Sequence, residues 1–276
     1  MLKAKWKTAF ASSTGTSHEK TGVPCQDASG CRVLEAADGT EILLVVVSDG
    51  AGTAPRSDVG ACMVVTSFLE RFASFCFQNA VAAIDADVVT GWFQAVKEEI
   101  RRQAEADSRS VNDYACTILG AVVGQTSSAY IQLGDGAIVV KADDDSGCDY
   151  SWVFWPQHGE YANSTYFVTQ EGVESLLQFE TGPAVDEIAL FTDGIERLVL
   201  DMARKTVHGP AFRPVFDWLA TTAPNRGGQP SGVIQAYLDS DHINRRTDDD
   251  KSLVMATRMV VQPPEESVCD SVDAPP

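Results

Sequence analysis

The sequence predicts an α+β protein built on antiparallel sheets. Three observations predict it. Residues 57–79 and 87–108 carry apolar residues at helical spacing. From residue 114 onward strands follow one another as hairpins, without regular βαβ alternation. Residues 41–48 (EILLVVVS) form an unbroken β-branched run, as in a strand buried on both faces.

The elements are expected in the following order. Residues 6–16 mix apolar and small polar residues and read as a first strand. SHEKTGVPCQD, with Gly22 and Pro24, reads as a loop. The 41–48 strand ends at Asp49-Gly50. The first helix, 57–79, has Ser57 or Asp58 as its cap. The second, 87–108, is expected to bury Val88, Trp92, Val96 and Ile100. CTILGAVVG, SAYIQLG, AIVVKA and YSWVFWP read as strands, with turns at 124–128 and 143–147. TYFVT (165–169) reads as another strand, and Gly182-Pro183 as a connection. EIALFTDG is an apolar strand running into Asp193-Gly194. Residues 195–240 read as helix-rich, and SLVMATRMVV is the last strand. Residues 1–261 are expected to form one domain. Residues 262–276, acidic and proline-rich, are expected to be a disordered tail.

Composition narrows the function classes. The 276 residues include 39 acids against 21 bases, a formal net charge of −18. Nucleic acid is an unsuitable partner for such a chain, because phosphate backbones select basic surfaces. There is no unbroken apolar run near the roughly 18–20 residues of a membrane span, and no secretory h-region. The seven cysteines are scattered, without CxxC or zinc-finger spacing. A reduced, cytoplasmic, monomeric protein with no membrane partner is expected.

The acids are not placed at random. VVVSDG, IQLGDG and ALFTDG each bring an apolar strand to an aspartate followed by glycine. TDDDKSL precedes another strand, and PCQDA lies in the first loop. Aspartates at strand ends are held on rigid backbone, so their oxygens can be aimed. A single Asp-Gly is ordinarily a turn; a set of them at strand edges suits Mg²⁺ or Mn²⁺, which take oxygen ligands.

Taken together and in order, these motifs resemble the metal-dependent protein phosphatase family of the 2C type, in particular its bacterial serine/threonine phosphatase branch. The resemblance runs from about residue 10 to about residue 260. It implies a sandwich of two antiparallel β-sheets flanked by helices, with metals at one end. It implies Asp27, Asp49, Asp193 and Asp249 as metal ligands, with Asp49 bridging two ions and Gly50 contributing its carbonyl. Asp135 would serve a third ion. The implied activity is hydrolysis of phosphoserine and phosphothreonine in a protein substrate by a metal-activated water, with a serine/threonine kinase as a possible counterpart. A variable substrate-facing flap is expected near 157–181.

Three positions depart from the family pattern. Gly22 stands where an arginine often binds phosphate, Gln26 where an acid precedes the first metal aspartate, and Ala51 where a histidine often follows Asp-Gly. His18 is the nearest candidate for proton transfer, and Arg56 for phosphate binding through its planar fork. The departures also motivate an alternative, a catalytically weak phosphatase-like module that binds a phosphoprotein or a kinase. A hydrolase of small phosphorylated molecules is a third reading.

Overall fold

The computed structural model describes residues 3–36, 39–141, 149–157, 165–222 and 229–261. The expected turn at 143–147 and the tail from 262 lie outside the described residues, as does the 158–164 part of the expected flap.

The chain opens with β1 (Lys3–Ser13), α1 (Thr16–Thr21), β2 (Ala28–Glu35) and β3 (Glu41–Ser48). Helices α2 (Ser57–Cys76) and α3 (Ala86–Ala106) follow, then β4 (Ile118–Val123), β5 (Ser127–Leu133), β6 (Ala137–Lys141) and β7 (Tyr150–Trp152). The second half holds β8 (Gln178–Pro183), β9 (Glu187–Phe191), α4 (Asp193–Val199) and a small hairpin, β10 (Leu200–Asp201) and β11 (Thr206–Val207). It ends with α5 (Gly209–Thr221), α6 (Gln229–Leu238), α7 (Asp241–Asn244) and β12 (Lys251–Val261).

Two five-stranded antiparallel sheets result, in the orders β1-β12-β9-β6-β7 and β2-β3-β4-β5-β8. Strand alternation sorts side chains into three apolar layers. Leu43, Val45 and Val47 of β3 meet Leu190, Val254 and Ile138 between the sheets. Leu44 and Val46 point the other way, onto Val64, Phe68 and Phe72 of α2 and Phe93 and Val96 of α3. On the far side, Ala189, Phe191 and Met255 pack against Phe212 and Phe216 of α5 and Leu238 of α6. The layers are therefore helix, sheet, sheet, helix, as the resemblance implied. Leu43 through Val47 are all 0% exposed. At roughly 1.5–3 kcal/mol per buried large apolar side chain, β3 is a stiff mount for Asp49.

The structure corrects several local expectations. The loop after β1 contains α1, closed by Gly22 in the left-handed region at φ 71°. That conformation favours glycine and disfavours the arginine that the resemblance led one to expect there. Neither Ser57 nor Asp58 caps α2: Arg56 takes that place without a side-chain cap, and the Ser57 hydroxyl donates to the Ala54 carbonyl. In α3 the buried face is Val89, Phe93, Val96, Ile100 and Ala104. Val88 and Trp92 lie beside it, Trp92 packing edge-on against Phe72 and Phe75. Residues 165–169 are not a strand; Val168 N–H donates once, to the Cys116 carbonyl. Residues 178–183 are a strand and not a connection.

By length and mean hydropathy, 20 residues at 1.4, α2 could span a bilayer. Its apolar residues are instead occupied by the sheet and α3.

Candidate metal centre

The strand registers bring the motif-bearing ends together. Ser48 at the end of β3 pairs with Ala28 at the start of β2. Ile118 at the start of β4 pairs with Leu133 at the end of β5. In the other sheet, Phe191 at the end of β9 pairs with Leu253 near the start of β12 and with Ala137 at the start of β6. Residues 134–136 join the two sheets at this end. Asp27, Asp49, Asp135, Asp193 and Asp249 thus all leave the same edge of the sandwich.

Asp49, Asp135 and Asp193 each offer a carboxylate oxygen within 4.8 Å of the others. Asp27 is a more deeply buried neighbour, 7% exposed. Its Oδ2 accepts from the Thr192 hydroxyl at 2.8 Å. Asp249 stands at the rim, its Oδ1 accepting from the Asp250 N–H at 2.9 Å. Asp49 is tied on both backbone sides to Thr117: its N–H donates to Thr117 Oγ1, and its carbonyl accepts from Thr117 N–H.

All three Asp-Gly glycines have a packing reason that sequence reading missed, Gly136 passing close to the Phe191 carbonyl. A Cβ on Gly50 would run into the Gln26 carbonyl and approach Ser57. A Cβ on Gly194 would overlap the Asp250 carbonyl. Gly50 and Gly194 thereby let the backbone beside another acidic segment pass at close range.

All five carboxyls are pushed above their ordinary range. Burial is the leading cause for each, and neighbouring carboxylates push in the same direction, against hydrogen bonds that pull Asp27 and Asp135 back down. For Asp49 those neighbours are Asp27, Asp193 and Asp135. The Thr192 hydrogen bond works against burial at Asp27. Such a cluster is electrostatically unfavourable without cations. Asp135 Oδ1 is buried and has no hydrogen-bond partner among the described residues. Oxygen-only donors, like charges in close range and an unpartnered buried oxygen together fit a hard divalent cation.

Glu196 is a site residue that sequence reading missed. It is 5% exposed on α4, and its Oε2 has no partner among the described residues. Burial, then Asp193 and Asp135, raise its carboxyl to about 7. The only signal in the sequence was its place one turn beyond Asp193, on the same helical face.

His18 and Arg56 each face an aspartate outside the cluster of five. His18 Nδ1 lies 2.9 Å from Asp250 Oδ2. The same carboxylate group accepts from Gly15 N–H and Gln26 N–H, each at 2.6 Å. This geometry ties His18 to the loop that carries Asp27 through the Asp250 carboxylate they share. Arg56 turns toward Asp107, at 3.9 Å, and toward Tyr114, and no contact joins it to the carboxylates among the described residues. Gln26 spans from the first loop to the Ala54 carbonyl through Nε2.

Fold and cluster together define a helix-sheet-sheet-helix protein with a carboxylate site suited to divalent cations. The profile of the protein phosphatase 2C family matches residues 14–229. Serine/threonine-protein phosphatase 3 of Escherichia coli (strain K12) is 34% identical over 252 residues, spanning 91% of this chain and 98% of that protein. Among solved structures, a bacterial serine phosphatase superimposes with a TM-score of 0.62 at 14% identity, covering 95% of this chain and all of the other. The catalytic domain of the serine/threonine protein phosphatase PstP, in complex with two manganese ions, gives 0.59 at 13% identity, covering 93% of this chain and 100% of the other. The chain belongs to the protein phosphatase 2C family, and so to the phosphoprotein phosphatases.

Proposed function

We propose that this protein hydrolyses phosphoserine and phosphothreonine in protein substrates at a two-cation site. Asp27, Asp49, Asp193, Asp249 and the Gly50 carbonyl would hold Mn²⁺ or Mg²⁺, with Asp135 available to a third ion. When bound, the cations would supply positive charge to the phosphoryl oxygens and lower the pKa of an attacking water. The observation that carries this reading is the convergence of Asp49, Asp135 and Asp193 within 4.8 Å.

The chain's own residues contribute placement. β3 and the Thr117 hydrogen bonds fix Asp49. β9 and α4 fix Asp193. Asp250 ties the Asp27 loop to the start of β12, next to Asp249. No side chain is needed as a covalent phosphate acceptor. A cytoplasmic site of action and a serine/threonine kinase that supplies the substrate remain part of the proposal.

The test is hydrolysis of p-nitrophenyl phosphate and of a phosphothreonine peptide, with and without Mn²⁺, by wild type and Asp49→Asn. Wild-type turnover that depends on Mn²⁺ and is lost in the variant supports the reading. Turnover unaffected by EDTA, or equal in the two proteins, would sink it.

A further inference from the structure

Thr192 occupies the position just before α4, where a threonine ordinarily caps its own helix. It does not do so here: no side-chain cap bond is made. Its side chain, 0% exposed, turns away from the helix to Asp27, 165 residues earlier in the chain. The hydroxyl is committed on both sides. Ser252 N–H donates to Thr192 Oγ1 at 2.9 Å. The hydroxyl proton then points to Asp27 Oδ2 at 2.8 Å, an acceptor when ionised. The bond therefore has one direction, from β12 backbone through Thr192 to the carboxylate.

The Ser252 side chain is held by a different hydroxyl. Ser252 Oγ is 2.6 Å from Ser12 Oγ, which is 2.9 Å from Ser29 Oγ. Thr192, just beyond β9, thus joins the start of β12 to the Asp27 carboxylate through a single hydroxyl.

We propose that Thr192 is a positioning residue for the metal centre: it locks the Asp27 carboxylate so that the oxygen it does not bind faces the cation site. One residue then serves two ligands, Asp193 through the peptide chain and Asp27 through the hydrogen bond. This rests on the reading of Asp27 as a ligand given under the proposed function. Groups that hold ligands in this way commonly change metal affinity by about 10–100-fold when removed.

The experiment is Mn²⁺ titration calorimetry on wild type, Thr192→Val and Thr192→Ser, with circular dichroism to compare the folds. Valine keeps the shape and removes the hydroxyl; serine keeps the hydroxyl. The expected result is affinity weakened about 10–100-fold in Thr192→Val and largely restored in Thr192→Ser. Wild-type affinity in Thr192→Val overturns the inference. So does a Thr192→Ser variant as weak as Thr192→Val, which would assign the role to the methyl group. If Thr192→Val does not fold, Thr192→Ala removes the same hydroxyl without adding bulk, and undiminished Mn²⁺ affinity there overturns the inference. Failure of the proposed function looks different, because wild type itself would then bind no Mn²⁺.

Discussion

Asp49→Asn should stabilise the metal-free protein while abolishing its response to Mn²⁺. The perturbation removes one charge from a group whose oxygens lie within 4.8 Å of one another. Two unit charges at that distance repel by about 3 kcal/mol at an effective dielectric near 20. Partial solvent access and partial protonation reduce the net gain to about 1–3 kcal/mol. For a domain of this size that corresponds to a rise in Tm of about 2–6 °C. The assay is thermal unfolding at pH 8 in EDTA, repeated with Mn²⁺ added. Wild type should gain about 2.7 kcal/mol at Mn²⁺ one hundred times its Kd, and the variant should gain almost nothing. The pH dependence has a definite sign. Asp49's carboxyl is raised in the folded state, so its contribution is present below the unfolded value and is lost as pH rises through the folded one. The stability difference between variant and wild type in EDTA should therefore grow from pH 5 to pH 8. A variant less stable than wild type in EDTA at pH 8, or equally stabilised by Mn²⁺, would refute the reasoning.

Further consequences can be measured directly. Glu196→Gln should flatten the loss of stability of EDTA-treated protein around pH 7, since that carboxyl is raised to about 7 and its contribution disappears as pH rises through it; an unchanged melting profile between pH 6 and pH 8 would contradict this. Gly194→Ala should lower both Tm and Mn²⁺ affinity, because the new Cβ overlaps the Asp250 carbonyl beside Asp249; wild-type values in both measurements would contradict the packing account. Phe93→Ala should cost about 3–5 kcal/mol in urea unfolding, because the ring is 0% exposed between α3 and α2. A loss below about 1 kcal/mol would show that the layer closes around the gap.

Much of the fold was legible where burial on both faces leaves a continuous apolar run. β3, β4, β6, β9 and β12 were visible for that reason. The edge strands β2 and β8 were not. β2 carries Arg32 and Glu35, and β8 ends in Gly182-Pro183; each pairs on one side only, so neither needs an apolar pattern. Residues 165–169 looked like a strand by composition but have no ladder to join. They serve as packing, with Phe167 against Ala51, Ala54 and Ala115. The face of α3 was ambiguous because Val88-Val89 and Trp92-Phe93 offer two adjacent apolar rows. Only the position of α2 selects between them.

The sequence by itself determined the metal chemistry on offer: five aspartates at strand ends, three followed by glycine, in an order that matches one family. Tertiary structure decided which of them share a space and what each neighbour does. It grouped Asp49, Asp135 and Asp193, set Asp27 behind them on Thr192, and left Asp249 at the rim. It also tied His18 to Asp250, turned Arg56 toward Asp107 and buried Glu196 beside the cluster. The reason is physical. A strand-end carboxylate is placed by local chain geometry, which a short motif encodes. A hydrogen-bond partner 165 residues away is set by sheet register, and no local pattern records it.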